Sequence, residues 1–489
     1  MAKVTRINYI CVHILQLEKT LKLYREILGF SVTDAEMLKG EACKEMVVFH
    51  LQAGDCCVNL SLTSPEKWDT IGEIGNNNHN HFMLYVDDIK TIGDQLVAEG
   101  YTLENYNYAE CGYTFFTGPN GEVVGLWQEA GMLPGKKMSK ATLRAVKGNY
   151  FQNSDWFCGF RESEIKGLEY EEGIHRRDPS SIIKVDDIYY VYYTKSVGGH
   201  VGFGSGDLEA KVFPWDKAEI WYATSEDGVE WKEGGVVVQT GERGAYDDRS
   251  VFTPEVMKYD GDIYLVYQTV QFPYVNRSFE NIAIAKASLP EGPFVKSDAP
   301  ILCPTADGEW DGEDDNRFAI AKKGSFDSHK VHDPLLFHFN DKFYLYYKGE
   351  PMGEEVYMGG RETKWGVAIA ENIMGPYVRS EYNPITNSGH ETCLWKYNGG
   401  MAAFLRTDGV EKNTLQWAQD GINFDIKAVI QGGPEAAGPY RPDEEVTDPV
   451  DGLKWGLSHN PYSRGWGFIT RFDVETVQRD IYRKREKYE

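Results

Sequence analysis

Two aspartates stand out by what surrounds them. Asp178 lies in "HRRDPSSIIKVDDIYYVYYTKS" (residues 175–196) and Asp333 in "SHKVHDPLLFHFNDKFYLYYKG" (residues 328–349). Each follows a basic residue or a histidine and precedes a proline. Each leads into an apolar run, a polar turn and an aromatic strand. An aspartate so placed sits where the chain enters a sheet. Two such carboxylates on repeated units can converge at one end of a ring of sheets. Hydrolysis of a glycosidic bond needs such a pair, an acid and a base on opposite sides of the bond. Taken singly, an Asp-Pro pair is an ordinary turn or strand-start cap. The repetition points to chemistry.

The elements that must position these groups repeat from about residue 151. A polar turn, an aromatic strand and a second strand ending in a small residue recur in order. "VDDIYYVYYT" (185–194) precedes "AEIWYATSEDGVEW", and "YDGDIYLVYQT" (259–269) precedes "NIAIAKASLPEGPF". "FNDKFYLYYKG" (339–349) precedes "WGVAIAENIMGPY", and "YNGGMAAFLRT" (397–407) precedes "NTLQWAQDGINF". A fifth, more divergent unit holds "DGLKWGLSHN" and "GWGFITRFD". Units of roughly 55–80 residues with four short strands predict the blades of a β-propeller, about five by this count, with about four or six the alternatives. The "DG" and "NDK" turns mark hairpins between inner strands. In such a ring the innermost strands open on one central funnel, which Asp178 and Asp333 would share.

The first 128 residues repeat differently. A strand, "INYICVHIL", precedes a helix, "QLEKTLKLYREILGF", with Leu17, Leu21, Tyr24 and Leu28 as its apolar stripe and Gly29 as its stop. Aligning Ile14 with Val86 brings "HFMLYVDDI" and "KTIGDQLVAEGY" onto the same pattern, with Ile89, Ile92 and Leu96 as stripe and Gly100 as stop. Short strands follow each helix, so the unit is βαβββ, used twice. Residues 131–150 are basic, carry Pro and Gly, and read as a linker with a short helix at "SKATLRAV". The predicted fold is therefore two-domain: an α+β module of βαβββ repeats (1–130), the linker, and an all-β five-bladed propeller (151–480).

Composition narrows the partners. A net charge of −24 argues against nucleic acid and anionic membrane. No run of about 18 apolar residues exists to span a bilayer. The N-terminus lacks the pattern of a cleaved signal peptide. The eight cysteines are irregularly spaced, with no C-x-x-C, and read as reduced thiols. The expectation is a cytoplasmic protein.

The first module resembles the vicinal oxygen chelate superfamily, which includes glyoxalase I and bleomycin-resistance proteins, through "LEKTLKLYREILGF" and "GPNGEVVGLWQ". Catalytic members hold a divalent metal with His or Glu on four strands. The matching positions here are Tyr9, Asn59 or Ser61, His81 and Gly125, with His79 on the same strand face as His81. One imidazole does not close a metal site, so the resemblance implies a metal-free module.

The second part resembles glycoside hydrolase family 117, a five-bladed relative of the family 43 arabinanases and xylosidases. The segments that carry the resemblance are "HRRDPSSIIKVDDIYYVYYT", "DDRSVFTPEV", "SFDSHKVHDPLL", "FYLYYKG", "GHETCLWKYNGG" and "DGVEKNTLQWA". Members remove terminal 3,6-anhydro-L-galactose from α-1,3-linked neoagaro-oligosaccharides, with inversion. Their catalytic groups carry over onto Asp178, Asp333, His390 and Glu391. The resemblance implies Asp178 as base, His390 as acid, and Asp333 and Glu391 as orienting or sugar-binding groups. It further implies a homodimer and an oligosaccharide as the partner. It calls for no cofactor, and the channel leaves room for a divalent cation.

Other residues are candidates on weaker grounds. Arg177, Arg249, Thr253 and Glu255 belong to the matching segments and are placed to line the funnel, as is His332. His329 and His332 have metal-ligand spacing but no third partner nearby in sequence. Trp215, Trp221 and Trp231 could stack on sugar rings, though blade packing is the ordinary fate of at least two of them. The acidic run "DGEWDGEDDN" (307–316) lacks the spacing of a calcium loop and reads as solvated. Two other readings remain open: a non-catalytic carbohydrate-binding or sensing protein, and a family 43-like arabinofuranosidase or xylosidase.

Overall fold

The computed structural model describes residues 10–38, 46–53, 56–63, 81–128, 139–141, 154–354, 356–357, 360–460, 463–476 and 479. The chain divides into two compact units, Met1–Met138 and Ser139–Glu489. Among the described residues no helix is long and apolar enough to cross a membrane.

In the first unit, strands Ile10–Ile14, Cys56–Thr63, Met46–Ala53 and Ser31–Leu38 lie side by side in that order. The first pair is parallel and the others antiparallel. Strands His81–Tyr85, Val123–Trp127 and Tyr113–Thr117 repeat the arrangement, again with a parallel first pair. Where the first copy has its fourth strand, the second keeps one antiparallel bridge, Leu103 to Phe116. The βαβββ unit is thus present twice, the second copy with a shortened edge.

The first helix departs from its predicted face. Leu17–Leu21 is α-helical, but Lys22–Ile27 widens to a π-helix. The buried stripe is Thr20, Leu23, Tyr24 and Ile27, while Leu17, Leu21 and Leu28 only flank the core. Gly29 and Gly100 do end their helices, at φ of 74° and 84°. Of the expected linker helix, only residues 139–141 are described.

The second unit is built of antiparallel strand sets. The first is Ile183–Val185, Ile188–Val197, Glu219–Ser225 and Trp231–Val238, with Ile174–Arg177 continuing its inner edge. Next come Ser250–Tyr259, Asp262–Val270, Glu280–Ala287 and Val295–Lys296, then Lys330–Phe339, Lys342–Glu350, Lys364–Ala370 and Val378–Arg379. A fourth set is His390–Tyr397, Gly400–Thr407, Thr414–Ala418 and Asp425–Val429. In the last, Gly438–Pro439, Trp455–Asn460 and Phe468–Glu475 are completed by Gly159–Glu164 from the start of the unit. Ile182 and Tyr440 form a parallel bridge between the first and last sets.

The aromatic strands do not alternate because both their faces are covered. A strand packed between neighbouring sheets reads as a continuous apolar run. Tyr192, Tyr193, Tyr267, Tyr346 and Tyr347 are accordingly fully buried in the cores between sheets. The hairpins that precede them use left-handed pairs: Asp186-Asp187, Asp260-Gly261, Asn340-Asp341 and Asn398-Gly399 all have positive φ. These turns match the twist of the strands they join.

Candidate active site

The innermost strands share a kink. Asp178, Thr253, Asp333 and Glu391 have φ of 49°, 48°, 48° and 54°, and Ala436, just before Gly438–Pro439, has 46°. Non-glycine residues seldom adopt this region, at a cost of about 1–3 kcal/mol each unless the surroundings enforce it. The ladder slips at the same points, between Phe252 and Glu255 and between His332 and Leu335. A bulge of this kind re-aims one side chain per strand.

What enforces the kink comes from the preceding strand set. The backbone N–H of Thr253 donates to Thr194 Oγ1 (2.8 Å), and that of Asp333 to Gln268 Oε1 (3.4 Å). The backbone N of Asp178 lies 3.1 Å from His459 Nδ1. Thr194, Gln268 and His459 each sit on the second strand of their own set, near the end of the aromatic or apolar run. Lys348 and Thr407 hold the matching places in the other two sets.

These residues open on one cavity of about 570 Å³. Asp178, Asp333, His390 and Glu391 all line it, with Arg177, Thr253 and His332. So do Gln268, Lys348, Asp408 and His459, which the sequence reading did not single out. A polar residue closing an otherwise apolar strand was the available signal for all of these except Asp408, which follows Thr407 in the next turn.

Asp178 is 9% exposed. Its Oδ1 lies 3.0 Å from His459 Nδ1 and 3.6 Å from Arg177 Nη2. Burial alone would raise its pKa, but Arg177, His459 and the Thr194 hydroxyl outweigh it and hold the carboxyl well below the usual range. Asp178 is therefore an ionised carboxylate in a mostly buried place. Asp333 pairs with Lys348 Nζ at 2.7 Å. His390 Nδ1 lies 2.5 Å from Asp408 Oδ2, and its Nε2 lies 3.4 Å from Glu391 Oε1. A ring nitrogen against a carboxylate must be the donor, which leaves Nε2 to act on a ligand.

The floor is a charged network. Lys330 Nζ reaches Glu280 Oε1 at 2.8 Å, and Arg361 meets Glu350 and both oxygens of Glu354. His332 lies between Glu280 (3.6 Å) and Glu350 (3.8 Å), and burial pushes its pKa well below the ordinary value. His329 also turns to Glu350, at 3.5 Å. Among the described residues no group of three or more His, Cys, Asp or Glu side chains is arranged to hold a metal ion.

One wall is aromatic: Phe203, Phe213, Trp215, Phe252 and Tyr274. Phe213 and Trp215 stack at 4.7 Å, and Trp215 Nε1–H donates to Tyr274 Oη (3.2 Å). Trp221 and Trp231 instead pack in the core between the first and last strand sets.

Two predicted lining residues do not line the cavity. Arg249 is buried in a fork with Asp216 (2.6 and 2.7 Å) and donates to the carbonyls of Leu208 and Ala210. It holds the loop that carries Phe213 and Trp215. Glu255 lies beyond the bulge at Thr253, where it accepts from Ser181 N–H (2.9 Å) and Arg441 Nη2 (2.6 Å). The acidic run has a structural role as well: Asp315 accepts from the backbone of Asn276 and Arg277, while Arg277 donates to carbonyls of the run.

In the first unit, Asn59 Oδ1 lies 2.9 Å from His50 Nδ1. Gly125 is closely covered by Met83 and Phe115. Tyr9 and His79 lie outside the described residues, as does the side chain of His81.

Residues 6–126 match the model of the Glyoxalase/Bleomycin resistance protein/Dioxygenase superfamily. Among solved structures, the chain is similar to a family 117 glycoside hydrolase produced by the marine bacterium Zobellia galactanivorans. The identity is 32%, over 66% of this chain and 92% of that one, with a TM-score of 0.54. More distant is a family 43 enzyme from Xanthomonas citri, 13% identical over 63% and 90% of the two chains, with a TM-score of 0.41. A family 43 β-xylosidase/α-arabinofuranosidase from a compost microbial metagenome is 17% identical over 65% and 94%, with a TM-score of 0.41. No curated protein matches the chain.

Proposed function

Because the chain belongs to the family 117 glycoside hydrolases, we propose that it is an exo-acting, inverting enzyme that releases a terminal 3,6-anhydro-L-galactose-type sugar from α-1,3-linked algal oligosaccharides. The observation that carries this reading is the convergence of Asp178, Asp333, His390 and Glu391, from three strand sets, into one cavity. Its volume is in the range that holds a small ligand. The strand sets are read as five blades, closed where Gly159–Glu164 joins the last. The domain limits remain 1–130, 131–150 and 151–480.

In this reading Asp178 takes a proton from water as the water oxygen bonds to the anomeric carbon. His390 gives its Nε2 proton to the departing oxygen as the old C–O bond breaks on the opposite face. Configuration inverts, which requires the two groups to be separated by room for the water, about 6.5–9.5 Å for paired carboxylates. Asp333 is fixed by Lys348 and is suited to a sugar hydroxyl. Glu391 flanks Nε2, at 3.4 Å. A pure binding protein would not need an ionised, mostly buried carboxylate in the same cavity as a carboxylate-held histidine.

Product analysis on neoagaro-, carrageenan- and arabino-oligosaccharides tests the substrate. Release of a terminal anhydro-L-galactose supports the proposal; release of arabinose or xylose alone replaces it with the family 43-like reading. His390→Gln tests the acid. Its turnover falls by about 10²–10⁴ on the natural disaccharide and less on an aryl glycoside, whose leaving group needs little protonation. Equal losses on both would move the acid to Glu391.

A further inference from the structure

We propose that Asp408 is the positioning residue of the proton donor: it fixes the His390 ring with Nε2 toward the leaving group and makes the doubly protonated ring the acid. This deepens, and rests on, the reading of His390 as the acid.

The geometry is local and built. His390 pairs across the ladder with Thr407, the last residue of its strand. Asp408 comes next at φ 55°, and the turn brings its Oδ2 to 2.5 Å from His390 Nδ1. Its Oδ1 accepts the backbone N–H of Arg361 at 3.1 Å. The Arg361 side chain is itself clamped by Glu354, through Nε and Nη2 at 2.8 Å each, and by Glu350. Asp408 is therefore held from behind by a segment that is anchored in the charged floor of the cavity.

These contacts set the proton count. An ionised carboxylate accepts and cannot donate, so Nδ1 keeps its hydrogen. A ring that keeps Nδ1–H can donate from Nε2 only in its cationic form. Asp408, and Glu391 at 3.4 Å from Nε2, supply the negative charge that this cation needs. Burial raises the Asp408 pKa, but the hydrogen bond to His390 and the nearby Arg361 bring it down to about 2. The charged groups around the ring are thus Glu391 on its own strand, Asp408 on the next, and Arg361 behind Asp408. When Nε2 gives up its proton, the ring becomes neutral, Asp408 keeps its charge, and solvent restores the proton after the sugar leaves. Without Asp408 the ring can turn over or hold its single hydrogen on Nε2, and a neutral imidazole is a far weaker acid.

The test compares Asp408→Asn and His390→Gln in the full chain, with neoagarobiose and an aryl 3,6-anhydro-α-L-galactoside as substrates. For Asp408→Asn, kcat on neoagarobiose falls by about 10²–10⁴, with KM within a few-fold and the aryl glycoside largely spared. Proton NMR of the ¹⁵N-histidine-labelled protein gives a readout independent of turnover. The His390 Nδ1–H resonance lies far downfield in the wild type and moves upfield in Asp408→Asn. If His390→Gln shows leaving-group dependence while Asp408→Asn keeps full kcat or an unmoved resonance, the positioning role is wrong and the acid assignment stands. If His390→Gln loses equally on both substrates, the acid assignment itself fails. Should Asp408→Asn not fold, the wild-type spectrum decides: a His390 ring with no hydrogen on Nδ1 overturns the proposal.

Discussion

Arg177→Met is the most direct probe of the proposed base. The substitution keeps most of the side-chain volume next to Trp215 and removes one positive charge. Arg177 Nη2 lies 3.6 Å from Asp178 Oδ1, with the two side chains only 12% and 10% exposed. At an effective dielectric constant of about 20, unit charges at that distance attract by about 5 kcal/mol. Relaxation and the remaining help from His459 reduce the net loss to about 1.5–3 kcal/mol, or about 1–2 pH units at 1.36 kcal/mol each. The sign comes from the chemistry: Asp178 must be ionised to accept a proton. With Arg177 present its carboxyl is held low and stays ionised as pH falls. Without Arg177, burial acts with less opposition and the carboxyl protonates at higher pH. The acid limb of kcat therefore moves up by about 1–2 units. Near neutrality Asp178 stays ionised, so kcat changes little while KM rises. The assay is kcat from about pH 2 to 8 at constant ionic strength, because the shifted carboxyl still titrates below the usual carboxylate range, with circular dichroism at each pH to confirm the fold. An acid limb that superimposes on that of the wild type would show that Arg177 does not tune the base, or that Asp178 is not the base.

Two further outcomes concern stability. Glu255→Gln leaves the Arg441 guanidinium without its carboxylate partner and should cost about 3–5 kcal/mol in urea unfolding. Because Glu255 does not line the cavity, kcat of the folded variant should stay within a few-fold; a stable but inactive variant would return Glu255 to the site. Acidification should weaken the fold in two stages. His175, whose ring burial pushes down to about 4, resists the proton that the unfolded chain takes up below about 6.5, so stability falls between those values. Asp408 and Glu233 have folded pKa values of about 2 despite burial, Asp408 through His390 and Arg361 and Glu233 through Arg176, Lys195 and Tyr193. Their contribution is complete above the unfolded carboxylate range near 4 and is lost as pH falls toward 2. A urea midpoint that is flat or rising from pH 7 to 3 would contradict both.

The repeating local phrases were written in the order of residues alone. Asp-Gly, Asn-Gly and Asn-Asp turns before aromatic runs can only be tight hairpins feeding buried strands, and the hairpins at Asp260, Asn340 and Asn398 formed where those residues stand. Asp178 and Asp333 were legible because the same phrase occurs twice, and His390 and Glu391 because their segment resembles a family. Side-chain direction was not legible. Arg249, Thr253 and Glu255 lie within one short segment, yet only Thr253 reaches the cavity, because the bulge there breaks the alternation that would otherwise place Glu255 on the same face. The first helix shows the same limit, since its buried stripe of Thr20, Leu23, Tyr24 and Ile27 keeps the helical period but shares only Tyr24 with the predicted one, and periodicity alone does not choose between two adjacent faces. His459 and Asp178 are 281 positions apart, and no local pattern couples them. Their contact exists because the last strand set stands beside the first. Which polar strand ends meet which carboxylates depends on how neighbouring sheets are offset, and that offset arises only when the sheets pack against one another.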